Sequence, residues 1–224
     1  MTIPNMIAID GPAASGKSTL GRRLADTLGY LFFDTGVMYR AITWVTLQRG
    51  VKVEDEAAVT ELAETVHIDV CSPSKNDGRA CDVLADGSDI TWEIRSPEVE
   101  ANVSPVSVYR GVRQALASQQ RRIGLRGWVV MVGRDIGTVV LPEAELKIYL
   151  DASAEERARR RHKEILERGG KADYEQILAG VRMRDEIDST RAVSPLRAAA
   201  DAVIIDSDKL TADEVIAKVE ALCR

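Results

Sequence analysis

The sequence predicts an α/β fold, a five-stranded parallel sheet flanked by helices, on three observations. Five short apolar runs recur along the chain, near-continuous as strands covered on both faces must be. Helical patterns with recognisable stop and cap signals separate most of them. Each run also ends on polar or charged residues: Asp10, Asp34, Arg134 with Asp135, Asp151 and Asp206. Open α/β sheets bind ligands in the crevice outside those ends.

The first strand is expected at Met6 to Ile9. Gly11-Pro12-Ala13-Ala14-Ser15-Gly16-Lys17-Ser18 follows, a complete G-x-x-x-x-G-K-[ST] loop, with Thr19 leading into a helix. Backbone N–H groups of such a loop form a concave cradle for phosphate oxygens, and the helix adds its positive end. Lys17 is then expected to reach the outer phosphates and the Ser18 hydroxyl to coordinate Mg²⁺. The helix should stop at Gly29. A second strand, Leu31 to Phe33, leads through Asp34 and Thr35 into a helix that ends near Gly50, with Arg40 one to two turns inside it. Thr35 either caps that helix or faces the crevice.

From about His67 to Ile90 the alternation breaks into short strands with a polar loop, Ser72 to Arg79, and an Asp86-Gly87 hairpin turn. This is a small β-rich insertion. Ser96-Pro97 and Ser104-Pro105 each read as an N-cap followed by proline at the first helical position. The remaining main strands are expected at Trp128 to Val132, Leu146 to Leu150 and Ala202 to Ile205. Ser153 with Glu156, Asp173 with Gln176 and Thr211 with Glu214 resemble capping boxes.

Composition narrows the function. Thirty Lys and Arg against 35 Asp and Glu give a net charge of −5, which argues against a general nucleic-acid binder. A local basic pocket for a small anion stays possible. Three cysteines without metal-ligand spacing point to a reduced chain. The start of the sequence carries no leader pattern and no apolar run approaches spanning length, so a cytoplasmic protein without membrane or nucleic-acid partners is expected. Nothing suggests an obligate assembly, and a monomer is expected.

Three further constellations could complete a site. Gly133-Arg134-Asp135-Ile136-Gly137-Thr138 sets an arginine beside an aspartate between glycines, suited to a phosphate and a polar ring, or simply to a turn with an exposed ion pair. Arg184, Asp188 and Arg191, at i, i+4 and i+7, project within roughly 60° of each other, either into a site or as a solvated ion ladder. Arg157, Arg160 and Arg161 share one helix face ahead of Gly169-Gly170, as on a flap that closes over phosphates. The N-K-x-D signature of guanine-nucleotide switches is absent. No acidic residue directly ends the third main strand, which leaves Ser18 as the one metal-side residue.

In order along the chain, GPAASGKS, DTGVMYR, GRDIGTVV and RDEIDSTR followed by SPL resemble bacterial cytidylate kinase (CMP/dCMP kinase) from about Ile7 to the final helix. The stretch with DGSDIT and IRSPEVEANVS resembles that family's nucleoside-monophosphate-binding region. The resemblance implies a P-loop core of residues 1–66, 105–152 and 172–224, a monophosphate-binding insertion at 67–104 and a lid at 153–171. It implies transfer of the γ-phosphoryl of ATP to CMP or dCMP, with Mg²⁺. Thr35, Arg113, Asp135 and Arg191 are then expected around the pyrimidine. Ser104, Arg184 and Asp188 approach the ribose, and Arg40 and Arg134 hold the acceptor phosphate. Lys17, Arg134, Arg157 and Arg161 are expected to serve catalysis. The alternatives are a kinase for another small acceptor such as UMP or AMP, or a non-enzymatic ATP-binding switch.

Overall fold

The computed structural model describes residues 3–223. Its main sheet contains β1 (Met6–Asp10), β2 (Leu31–Asp34), β6 (Val129–Val132), β7 (Leu146–Asp151) and β8 (Val203–Asp206). These run parallel in the order β2-β6-β1-β7-β8. The chain passes from β1 to β2 and later threads β6 between them, so the connections after β1, β2 and β6 meet along one edge. That topology gathers three distant sequence segments into one crevice.

Alternate residues of each strand serve different cores. Ile7 and Ile9, with Val130, Val132 and Ile148, pack under α1 (Lys17–Leu28) and α8 (Ala212–Leu222) through Leu20, Leu24, Val215 and Val219. Ala8, Phe33, Val129 and Met131 face the other way, toward α2 (Gly36–Gln48), α3 (Glu56–Thr65) and α5 (Arg110–Gly124). Both faces are covered over β1, β6 and β7, which explains their unbroken apolar runs. β8 lies at the sheet edge with Val203 and Ile204 exposed, so the apolar run there is not one covered on both faces.

The insertion is a separate three-stranded antiparallel sheet of β3 (Ile68–Cys71), β4 (Asp82–Ala85) and β5 (Ser88–Asp89). Asp86 and Gly87 both take positive φ, 48° and 82°, as a tight hairpin turn between β4 and β5 requires. The polar loop folds onto one guanidinium. Arg79, with a side chain 2% exposed, meets Asp77, Asp82 and Asp89, each at 2.8 Å. The sheet leads through a 3-10 turn, Glu93–Arg95, into α4 (Pro97–Val108).

Caps at Ser96, Ser153, Asp173 and Thr211 form as expected, and Thr211 with Glu214 makes a full capping box. Two expectations need correction. Ser104-Pro105 does not start a helix: Pro105 lies inside α4, which continues to Val108 and gives way to α5 only after Tyr109. Val99 and Val106, one heptad apart and both fully buried, anchor the turns on either side of Ser104 to one apolar face, and that packing overrides the local break signal. Trp128 is likewise outside β6. Its backbone N–H donates to the Asn5 side-chain oxygen, its φ is +51°, and the residue stays 62% exposed.

All three cysteines are free, and burial pushes the Cys81 thiol up to about 11. Among the described residues no helix is long and apolar enough to cross a membrane.

Candidate active site

The loop between β1 and α1 depends on close backbone approach. A Cβ on Gly11, at φ +147°, would sit 2.1 Å from the carbonyl oxygen of Leu150 in β7, and Gly16 adopts φ +97° as it enters α1. Only glycine reaches these conformations without strain. Lys17 is buried and donates to the Pro12 carbonyl at 2.5 Å and, more weakly, to Ser15 Oγ at 3.4 Å. Burial, with Arg134 nearby, holds its ammonium well below the ordinary lysine value despite Asp34, Asp10 and Asp188. An anion in the loop would relieve both effects.

Ser18 Oγ donates to Asp34 Oδ2 at 2.7 Å, so the end of β2 supplies the acidic partner that the third main strand lacks. Asp34 also caps α2, accepting from the Gly36 N–H. Thr35 does not act as a side-chain cap; its hydroxyl donates to the Val132 carbonyl and helps line the crevice. A hydroxyl and a carboxylate beside a phosphate cradle form an all-oxygen donor set that fits Mg²⁺, which takes few protein ligands and completes its shell with phosphates and water. At the end of β1, Asp10 accepts from the Ile136 and Gly137 N–H groups at 2.8 Å each. Burial nevertheless raises its carboxyl to about 6, with Asp135 adding to the shift.

A cavity of about 300 Å³ opens beside the loop. Lys17, Ser18, Ala13 and Ala14 form its wall on the loop side. Every residue expected at the acceptor lines the rest: Thr35 and Arg40 from the β2–α2 junction, Ser104 from α4, Arg113 from α5, Arg134 and Asp135 after β6, and Arg184, Asp188 and Arg191 from α7 (Tyr174–Thr190) and its end.

The Arg184–Asp188–Arg191 stripe is no solvated ladder. Asp188 is 1% exposed, and its carboxylate accepts from Arg134 Nε and Arg191 Nη1 at 2.9 Å each, with Arg184 at 3.5 Å. Burial alone would raise this carboxyl, but the three guanidinium groups hold it below the ordinary aspartate value. The arginines are not used up by these contacts. Arg113 Nε and Arg191 Nη2 are buried without hydrogen-bond partners, and buried Arg184 Nε has only its long ion-pair contact with Asp188. Buried, unpaired cationic donors are costly, and here they border a cavity that an anionic or carbonyl-bearing ligand could fill.

Tyr39 is a lining residue that the spacing did not single out. It stands under Arg113, whose guanidinium lies 5.6 Å from its ring centroid, and burial raises its phenol. Its neighbour Arg40 in the same motif was the available signal.

Two further spaces flank the loop. An apolar slot of about 220 Å³ lies behind it, among Gly16, Thr19, Leu20, Leu150, Leu210 and Val215, with Arg160 at its mouth. A wider channel passes above it, between Lys17, Ser18 and Thr19 on one side and Arg160, Arg161 and Arg184 on the other. The arginines of α6 (Ala154–Glu167) therefore part company. Arg160 binds Ser207, and Arg161 pairs with Glu164 at the channel. Arg157 turns inward, 3% exposed, to Ala152, Ala13 and Asp185 rather than to the open crevice.

A family model described as cytidylate kinase matches residues 7–224. The cytidylate kinase of Herpetosiphon aurantiacus is 51% identical over 222 residues, 99% of this chain and 95% of that protein. That of Roseiflexus castenholzii is 54% identical over 222 residues, covering 99% and 94%. Among solved structures, an uncharacterized protein from Eubacterium ventriosum superposes with a TM-score of 0.52 at 12% identity, over 97% of this chain and 96% of that one; this speaks to the fold alone.

Proposed function

The chain belongs to the cytidylate kinase family, and on that footing we propose how its crevice performs the reaction. The enzyme transfers the γ-phosphoryl group of ATP to CMP or dCMP, giving ADP and CDP or dCDP. One observation carries the acceptor assignment: Arg113, Arg184 and Arg191 each keep one buried guanidinium nitrogen without a hydrogen bond beside a cavity that also presents the Thr35 hydroxyl and the Asp135 carboxylate. Cytosine offers an exocyclic amine, a ring nitrogen and a carbonyl, which call for an acceptor and donors of these kinds.

The donor triphosphate lies in the Gly11–Ser18 cradle, with Thr19 beside it and its base in the apolar slot next to Arg160. Lys17 exchanges its resting bond to the Pro12 carbonyl for the outer phosphates. Arg40 and Arg134 hold the acceptor phosphate facing that end of the donor, while Ser104, Arg184 and Asp188 serve the ribose. Ser18 and Asp34 would hold Mg²⁺, which would supply neutralising charge to the phosphates. Phosphoryl transfer needs in-line placement and cations around the equatorial oxygens rather than covalent help from the protein. Residues 153–171 form the lid, hinged at the turn where Arg157 stays tied to Asp185 and the phosphate loop. Its closure brings Arg161 onto the phosphates and excludes water, the competing phosphoryl acceptor. All of these groups come from one chain, so a monomer suffices. The free cysteines suit a reducing cytoplasm.

The test is ADP production from ATP with CMP, dCMP, UMP or AMP as acceptor. CMP and dCMP should be fastest. UMP or AMP outpacing them would defeat the acceptor assignment, and ADP formation indifferent to any acceptor would indicate an ATP-driven switch.

A further inference from the structure

Asp185 stands on α7 between Arg184 and Asp188, in the helix that reads the acceptor, yet it does not line the acceptor cavity. Its carboxylate instead takes a two-pronged contact from the Arg157 guanidinium, Nη1 to Oδ1 at 2.9 Å and Nη2 to Oδ2 at 2.5 Å. Arg157 also donates from Nη1 to the Ala13 carbonyl at 3.1 Å and from Nε to the Ala152 carbonyl, just past β7. One buried guanidinium thus joins α6, α7, the end of β7 and the phosphate loop.

The contact with Ala13 falls where the loop most needs support. Ala14 has φ +61°, a left-handed conformation that its Cβ disfavours and that persists only when the surroundings impose it. A trans peptide points its carbonyl and N–H in opposite directions. With the Ala13 carbonyl drawn toward Arg157, the Ala14 N–H is turned away from it. Ala13 and Ala14 themselves border both the crevice and the channel over the loop. Flipping this peptide would present a carbonyl oxygen where a phosphate oxygen needs a donor. A planar guanidinium whose far edge is gripped by a carboxylate has little freedom to release the near one.

We propose that Asp185 is a positioning residue for the donor nucleotide: through Arg157 it fixes the Ala13–Ala14 peptide of the phosphate loop, although it sits on the acceptor-reading helix. The proposal rests on the placement of ATP in the loop and CMP in the adjoining cavity.

The experiment is calorimetric titration of the whole chain with adenylyl imidodiphosphate plus Mg²⁺, and separately with CMP. It compares wild type, Asp185→Asn, Arg157→Lys and the double variant. Asp185→Asn should weaken the triphosphate analogue about tenfold, the scale of one charge-assisted hydrogen bond, and leave CMP within about twofold. Arg157→Lys should do the same, because a single ammonium cannot span Ala13 and Asp185 together. The double variant should be no worse than the weaker-binding single one. In steady state, the KM for ATP should rise while that for CMP stays put, and Asp185→Glu should restore much of the loss. Retained CMP binding also reports that the variants fold. Equal losses for both ligands, a loss for CMP alone, additive losses in the double variant, or unaltered analogue binding would each overturn the proposal. Wild type binding neither ligand would bring down the two-site reading, and this one with it.

Discussion

The two halves of the crevice are made of different materials. The half proposed for the donor is one uninterrupted loop whose working groups are backbone N–H donors, set by two glycines and a lysine. The half proposed for the acceptor is assembled from side chains on α2, α4, α5, α7 and the turn after β6, which meet only because β6 threads between β1 and β2. Two buried aspartates show the contrast. Asp10, below the donor loop, is held by two backbone N–H groups and has its carboxyl raised to about 6. Asp188, across the crevice, is equally enclosed but surrounded by three guanidinium groups, and its carboxyl is lowered. Burial does not decide the direction; the partners' charge does.

Removing the charge at Asp188 should have the largest effect. Asp188→Asn leaves Arg134, Arg184 and Arg191 crowded without their shared counter-charge, and breaking such a buried network costs about 3–5 kcal/mol. Denaturant unfolding should show that loss, and CMP affinity should fall with it while ATP affinity holds. A variant with wild-type stability would return Asp188 to the role of a surface ion pair. On the donor side, Lys17→Ala should reduce turnover about a hundred- to a thousandfold, as when a major electrostatic stabiliser is lost. CMP affinity should change little, and a large loss of it would erase the distinction between the halves.

The subtlest contrast is in pH. Asp10 has a folded value above its unfolded one, so its contribution is complete below about pH 4 and fades as pH rises through about 6. The amount is about 3 kcal/mol, from roughly two pH units at 1.36 kcal/mol each. The stability of wild type relative to Asp10→Asn should fall across that window. Asp188 runs the other way, contributing above the unfolded aspartate value and losing that contribution as pH falls through its lowered folded one. A flat difference for Asp10→Asn would mean that its two backbone donors offset burial completely.

The same division governs what the sequence reveals. The phosphate loop is contiguous and chemically constrained, so eight consecutive residues announce it, and the capping residues act within a single turn. The Arg184–Asp188–Arg191 spacing shows a shared face, but helix geometry cannot say whether solvent or another element lies opposite. Only the arrival of Arg134 from β6 turns that stripe into a buried site. The face shared by Arg157, Arg160 and Arg161 misleads for the same reason: within two turns of one helix these side chains reach three different neighbours. Asp34 was visible as a strand end, but its bond to Ser18 depends on where β2 lies in the sheet. Ser104-Pro105 carries a helix-start signal that two buried valines overrule.

The central claim is that two nucleotides occupy this crevice together, one in the loop and one among the arginines. It is tested most directly by titrating CMP into the enzyme already saturated with adenylyl imidodiphosphate and Mg²⁺. The account predicts one CMP bound per chain while the analogue stays in place. Displacement of the analogue by CMP, or no heat at all, would contradict it.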